Sequence, residues 1–119
     1  MKTTIMQEKS ITFAIQIVNL VKDIQQNQKE IILTKQLLRS GTAIGAMLSE
    51  SEFAESNADF IHKQSVALKE ANETRYWLLI LNKTKYLDID KFNIIFSANY
   101  EIIKMLISSI NTLKQKNKN

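Results

Sequence analysis

The chain has 119 residues with no Cys, no Pro and two Gly, and its 16 Lys and Arg outnumber its 12 Asp and Glu, which gives a formal net charge of +4. This length fits one domain, residues 1–119, and the lack of Cys excludes disulfides, thiolate metal sites and a Cys nucleophile. Turn-rich all-β folds need more Gly and Pro, so the composition favours an all-α fold. No apolar run is long enough to span a membrane, and the first residues lack the apolar stretch of a signal peptide, so we expect a cytoplasmic protein.

Two helices are predicted in the first half of the chain, because apolar residues recur there every three or four positions. The first covers about residues 7–26 and carries on one face Phe13, Ile17, Leu20 and Ile24. A break at residues 27–28 precedes the second helix, which covers about residues 29–51. Its inward-facing residues are Leu33, Leu37, Ile44 and Leu48.

Two more helices are predicted in the second half. Ser56, with Asp59 three residues later, is a suitable N-cap for a helix over about residues 56–85. Asp88 or Asp90 can cap a fourth helix over about residues 89–114, and a basic, frayed tail follows at residues 115–119. The near-heptad seam of the fourth helix is Ile89, Phe92, Phe96, Asn99, Ile103, Leu106, Ile110 and Leu113. Because the connections are short, we expect an up-down-up-down, left-handed four-helix bundle.

The second helix is slim around Gly41 and Gly45, which lie among Ser, Thr and Ala residues. Two Gly four residues apart inside a helix cannot form a phosphate loop, and each costs about 1 kcal/mol of helix stability relative to Ala. We interpret both as positions of close helix packing.

The apolar surface exceeds what one bundle core needs. Outside the main helix faces lie Ile11, Ile15, Val18, Val66 and Trp77. Large exposed apolar patches are uncommon on monomers, so this second stripe predicts a homo-oligomer interface. The alternative is a wide core with scattered exposed apolar residues, which monomers also carry.

Four charged residues lie at helical spacing on two helix faces. Arg39 and Glu50 share one face of the second helix, and Glu70 and Glu73 share one face of the third. We interpret them as a structural ion-pair network within or between subunits, in which the Arg39 guanidinium is the best cation for a carboxylate. The alternative is a small-molecule or enzymatic site built from the three Glu residues. A di-metal bundle site needs Glu-x-x-His on two helices, and the chain has one His, so we expect no metal, no cofactor and no catalytic residue.

Two segments carry a family resemblance: RSGTAIGAMLSES at residues 39–51 and ADFIHKQSVALKEANETRYWLLIL at residues 58–81. Together with their flanks, these segments resemble the four-helix-bundle proteins encoded in 23S rRNA intervening sequences, and the central match covers residues 36–81. The family often has Asn where this chain has Met47. The resemblance implies an up-and-down bundle, assembly into a pentameric ring, and no established enzyme activity. A distantly related family, the accessory proteins of diversity-generating retroelements, forms basic pentameric barrels that bind nucleic acid and a reverse transcriptase.

Charge is the feature that indicates a partner. The chain end holds Lys104, Lys114, Lys116 and Lys118, with no acidic residue after Glu101. In a ring whose helices lie parallel to its axis, these ends would gather into a basic rim suited to the phosphate backbone of RNA or DNA. The alternatives are ordinary solubilising charge, a role as a protein–protein adaptor, or a purely structural assembly.

Overall fold

The computed structural model describes residues 4–117, without the side chain of Asn117, and this part of the chain contains helices and no strand. The helices are α1 (Ile5–Gln28), α2 (Ile32–Ser51), α3 (Asn57–Lys83) and α4 (Ile89–Asn117). The predicted all-α four-helix bundle is confirmed. None of the helices within residues 4–117 combines the length and apolarity that a bilayer span requires.

Side-chain caps explain where α1 and α3 begin. Thr4 accepts a hydrogen bond from the Gln7 N–H, and the Gln7 side chain accepts from the Thr4 N–H. This capping box starts α1 two residues earlier than the sequence predicts. Lys29 adopts the left-handed conformation, with φ of 60°, and ends the helix. Ser56 caps α3 by accepting from the Asp59 N–H at 3.1 Å.

Carboxylates cap the other two helices. Both oxygens of Glu30 accept from backbone N–H groups at the start of α2, those of Leu33 and Thr34, each at 3.0 Å. This explains why α2 begins at Ile32, three residues later than predicted. Of the two candidate caps for α4, Asp88 makes the bond, accepting from a backbone N–H of the first turn at 2.9 Å.

Each helix packs against the next one in the chain, and α1 also packs against α4, which closes a square of four helices. Cross-helix hydrogen bonds give the directions of the helices. The bonds are Gln7–Leu48 and Gln25–Thr34 between α1 and α2, Asn99–Ala71 and Ser109–Gln64 between α3 and α4, and Lys9–Glu101 and Lys91–Asp23 between α1 and α4. Between each two helices, the bond that lies further along one helix lies less far along the other, so these helices are antiparallel. The left-handed twist of the bundle stays a prediction.

The core runs along the inside of this square. It consists of Phe13, Ile17, Val21, Ile24, Leu37, Ile44, Leu48, Ala67, Ala71, Leu78, Leu81, Leu87, Ile95, Ile102, Ile103 and Leu106. The predicted seam of α4 was wrong at Ile89, which is 58% exposed. Ile95 and Ile102, which the predicted seam leaves out, are buried. With Leu106 they recur at spacings of seven and four, so the inward face of α4 is rotated from the predicted stripe.

Candidate interaction surfaces

Both glycines of α2 face α1. A Cβ on Gly41 would lie 2.9 Å from two side-chain carbons of Ile17, whereas a Cβ on Gly45 would lie 3.4 Å from the Ser10 Oγ. Ile17 is fully buried and cannot move outward. The close approach is therefore between two helices of one chain, and it excludes a side chain at Gly41 but not at Gly45.

An apolar groove runs along the outside of the bundle between α1 and α2, with a volume of about 380 Å³. We call it the α1–α2 groove; it is lined by Ile11, Ala14, Ile15, Val18, Thr42, Gly45, Ala46 and Ser49. Ile11 is 51% exposed and Ile15 57% exposed, while Val18 is half-buried. One wall carries branched apolar side chains and the other carries small residues.

Val66 and Trp77 lie on the side of α3 that faces α2. Thr74 marks that side, because its hydroxyl oxygen lies 3.0 Å from the Ser40 Oγ. At about 100° per residue, Trp77 falls about 60° from Thr74 around the helix and Val66 about 80°. Both side chains are half-buried. Trp77 packs partly against the core, and its Nε1 donates to the Glu73 Oε1 at 3.3 Å. An edge of each side chain is thus left exposed.

The predicted ion-pair network does not form within one chain. Among the described side chains, the ion pairs are Lys9–Glu101 and Lys91–Asp23. Arg39 and Glu50 are exposed, and they stand about 16 Å apart along α2, too far to share one cluster. The network interpretation is wrong for the isolated chain, and it stays a prediction for contacts between copies.

Glu70 carries an oxygen without a partner. Its Oε2 is shielded from solvent, and no donor among the described residues reaches it. Glu70 lies about 40° from Thr74 around α3, again on the side facing α2. A buried carboxylate oxygen without a donor raises the free energy of the chain.

The three Glu residues of the alternative site, Glu50, Glu70 and Glu73, do not come together in the fold either. Ser40 is level with Thr74, and the helices run in opposite directions. Glu50 therefore lies about 9 Å from Glu70 and about 13 Å from Glu73 along the bundle axis. In the described part of the chain, no three His, Cys, Asp or Glu side chains are placed to hold a metal ion.

The predicted basic rim lies among acidic residues. Lys104 is exposed, with its Nζ 5.1 Å from the Tyr100 ring centroid. Lys114 and Lys116 are exposed at the end of α4, and Lys118 lies outside the described residues. The connection from α2 to α3 reaches the same end, and around it stand Glu50, Glu52, Glu55 and Asp59. These carboxylates offset the lysines, so the rim is not a basic surface in one chain.

Basic charge accumulates at the opposite end, which the sequence reasoning missed. We call residues 22–39 and 75–91 the loop end, and the other described residues the tail end. The loop end has eight Lys and Arg against four Asp and Glu, and the tail end has six against eight. The charged residues can be counted in the sequence, but the charges of the two segments can be summed only once the helix pairing shows that both segments lie at one end.

Comparison with known proteins assigns the chain to a family. The family model of the 23S rRNA-intervening sequence protein matches residues 2–108. The chain belongs to this family. It is also similar to the crystal structure of a protein of unknown function from the S23 ribosomal protein family of Bacteroides thetaiotaomicron, with 50% identity and a TM-score of 0.88. That match covers 89% of this chain and 98% of the other. No curated protein matches the chain.

Membership in the intervening-sequence protein family confirms the resemblance and agrees with the bundle. Neither comparison brings an enzymatic activity to the chain. Met47, the position at which the family often has Asn, is half-buried and packs against the core. This member therefore has an apolar contact at that position.

Proposed function

We propose that the chain is a non-catalytic scaffold that works as a homo-oligomer, in the pentameric ring that its family resemblance implies. The observation that carries the proposal is the α1–α2 groove. A long apolar groove with exposed Ile11 and Ile15 on one wall is unusual on a monomer, and burying it against a second copy removes this surface from water.

A ring needs two different surfaces on each copy, because each copy contacts one neighbour through one patch and the other neighbour through a different patch. The α1–α2 groove is the receiving surface. The open edges of Val66 and Trp77 on α3 supply the other, with Tyr76, whose ring packs edge-on against Trp77 at 5.0 Å and is 54% exposed. Exposed aromatic side chains are the residues most enriched in protein interfaces.

Glu70 gives independent support. Its buried Oε2 lacks a donor within the chain and lies on the same side of α3 as Trp77. Arg39 is exposed and makes no ion pair among the described residues, so a neighbouring copy can present its guanidinium to this carboxylate. Arg is the side chain best suited to such a contact, since its fork donates several hydrogen bonds.

The non-catalytic part of the proposal rests on geometry. The three Glu residues that could have formed a site are spread along the bundle rather than convergent, and catalysis requires groups held within hydrogen-bond reach of one substrate. An adaptor role toward another protein is compatible with the same scaffold.

The test is the solution mass of matched variants, measured by light scattering and native mass spectrometry. Ile15→Lys places a charge in the α1–α2 groove and should yield a monomer with unchanged helicity. Ile94→Lys is the control, because Ile94 is 66% exposed on α4 and lies outside the groove. A monomeric mass for the unmodified chain, or an intact oligomer with Ile15→Lys, would refute the proposal.

A further inference from the structure

Two helix connections meet at the loop end. The α1–α2 connection follows Gln28 and the α3–α4 connection contains Tyr86, and the Gln28 Nε2 donates to the Tyr86 backbone oxygen at 2.7 Å. Lys29 is the next residue after Gln28, and Lys85 immediately precedes Tyr86. The bond between the connections therefore places both lysines at the same tip of the bundle.

Both lysines have a backbone conformation that favours Gly. Their φ angles are 60° at Lys29 and 70° at Lys85, and they are the non-Gly residues with positive φ in the described part of the chain. A side chain with a Cβ adopts this region at a conformational cost that Gly does not have. The chain thus places an ammonium group at each connection where an uncharged Gly would fit the backbone better.

Three of the four acidic residues of the loop end are engaged locally, and the fourth, Asp90, lies in the first turn of α4. Glu30 caps α2 with both carboxylate oxygens, Asp88 caps α4, and Asp23 pairs with Lys91 at 3.4 Å. Carboxylates at helix N-termini are held against the positive ends of the helix dipoles. In contrast, these exposed lysines make no ion pair among the described residues: Lys22, Lys29, Lys35, Lys83 and Lys85. The loop end therefore presents unpaired positive charge.

We propose that the loop end binds the phosphate backbone of nucleic acid. The basic residues do not lie in one plane: they continue from the tip down the helices to Lys22, about 9 Å from the end of α1. A nucleic acid strand can follow such a path, whereas a flat membrane reaches only the tip. The site exists in a single chain, and it rests on the proposed scaffold only for its multiplication around a ring.

The test compares two double variants that remove equal charge from opposite ends. Lys29→Gly with Lys85→Gly removes the two tip charges and relieves the left-handed backbone, so its thermal midpoint should stay unchanged or rise. Lys114→Gln with Lys116→Gln is the matched control at the tail end. The binding of poly(U) and of an RNA hairpin is measured by fluorescence anisotropy over a salt series.

The expected result is that the loop-end variant weakens binding and flattens the slope of log K against log salt by about 1.4–1.8 for each contacting chain. The tail-end control should keep both the affinity and the slope of the unmodified chain. Equal losses in the two variants, or no RNA binding at low salt, would overturn the proposal.

Two competitors test the class of partner. Polyglutamate and phosphatidylserine vesicles should bind more weakly than RNA of the same charge concentration, and stronger binding of either one would refute nucleic acid as the ligand. The solution mass of the loop-end variant should equal that of the unmodified chain. Because oligomerisation is read from mass and RNA binding from anisotropy, the failure of one proposal is distinguishable from failure of the other.

Discussion

The hydroxyl oxygens of Ser40 and Thr74 lie 3.0 Å apart in the buried contact between α2 and α3. Both side chains are excluded from solvent. Thr74 also bonds the Glu70 backbone oxygen of its own helix at 2.8 Å. A polar pair inside an apolar contact aligns the two helices along their axes, because sliding either helix would break the hydrogen bond between the two hydroxyls.

This pair can be measured by a double-mutant cycle. Thr74→Val preserves the shape of the side chain but leaves the Ser40 hydroxyl without its partner on α3, so the free energy of unfolding should fall by about 1 kcal/mol. Ser40→Ala combined with Thr74→Val should cost less than the sum of the single changes. Strict additivity in urea denaturation would show that the two hydroxyls do not interact.

Gly41 and Gly45 should respond differently to the same substitution. Gly41→Ala brings a methyl group to 2.9 Å from the buried Ile17 side chain and should lower the free energy of unfolding by about 1–3 kcal/mol. Gly45→Ala meets only an ordinary contact with Ser10 and gains helix propensity, so it should be neutral or stabilising by up to about 1 kcal/mol.

Thermal and denaturant unfolding measure both changes. Ile17→Ala removes the carbons that the new methyl group would strike, so Gly41→Ala should cost less in that background. An equal cost in both backgrounds would contradict the steric explanation.

The ion pair between Lys9 and Glu101 gives a pH prediction. The hydrogen bond from Lys9, at 2.7 Å, and then its charge lower the pKa of Glu101 below the ordinary 4.5. Since the folded pKa is the lower one, the pair stabilises the fold above about pH 4.5. That contribution disappears as the pH falls through the lowered pKa.

Lys9→Met should return the Glu101 pKa toward 4.5 in an NMR titration of the side-chain carboxyl. Lys91→Met is the control, because it removes the other ion pair between α1 and α4 and should leave the Glu101 pKa unchanged. Both pairs are exposed, so neither variant should change stability much at neutral pH. A Glu101 pKa that stays low in Lys9→Met would refute the assigned cause.

Glu70→Leu should separate the stability of the chain from its assembly. In an Ile15→Lys background, which holds the chain monomeric, Glu70→Leu should raise the free energy of unfolding by about 1 kcal/mol, because it removes a buried oxygen without a donor. In the unmodified background it should weaken the oligomer.

Glu73→Leu is the matched control, since the Glu73 carboxylate is bonded to the Trp77 Nε1 and its loss should bring no gain in stability. Denaturation and concentration-dependent light scattering report the two effects. A less stable monomer with Glu70→Leu would show that the carboxylate is satisfied within the chain.

The helices could be predicted because their signals are local in the sequence. Which face of a helix is buried depends on residues far away in the sequence and could not be predicted. Ser56 and Asp88 cap helices through backbone groups three residues away, so their roles can be read from the sequence. The sequence does not show which of Ile89 and Ile95 is buried, because an apolar side chain on either stripe of α4 satisfies helical periodicity. The neighbouring helices α1 and α3 decide which stripe is inward, and they lie far away in sequence.

The candidate surfaces could likewise be predicted only in part. Ile11 and Ile15 were identified as surplus apolar residues, and they are exposed in the chain. The left-handed backbone at Lys29 and Lys85 had no signal, because Gly or Asn, which usually mark such positions, are absent from both. The charge of the loop end is a sum over segments 36 residues or more apart, which only the fold brings together.

Because the bundle has an even number of antiparallel helices, its first helix begins and its last helix ends at the same end of the bundle, which matters for the design of fusion proteins. Thr4 and Asn117 both lie at the tail end. A reporter or affinity module fused to either terminus would leave from that end, and the tip formed by the two helix connections would stay uncovered. In a closed ring whose helices lie parallel to its axis, every copy would display its cargo on one face, so the other face would remain available for surface immobilisation or for imaging a bound strand.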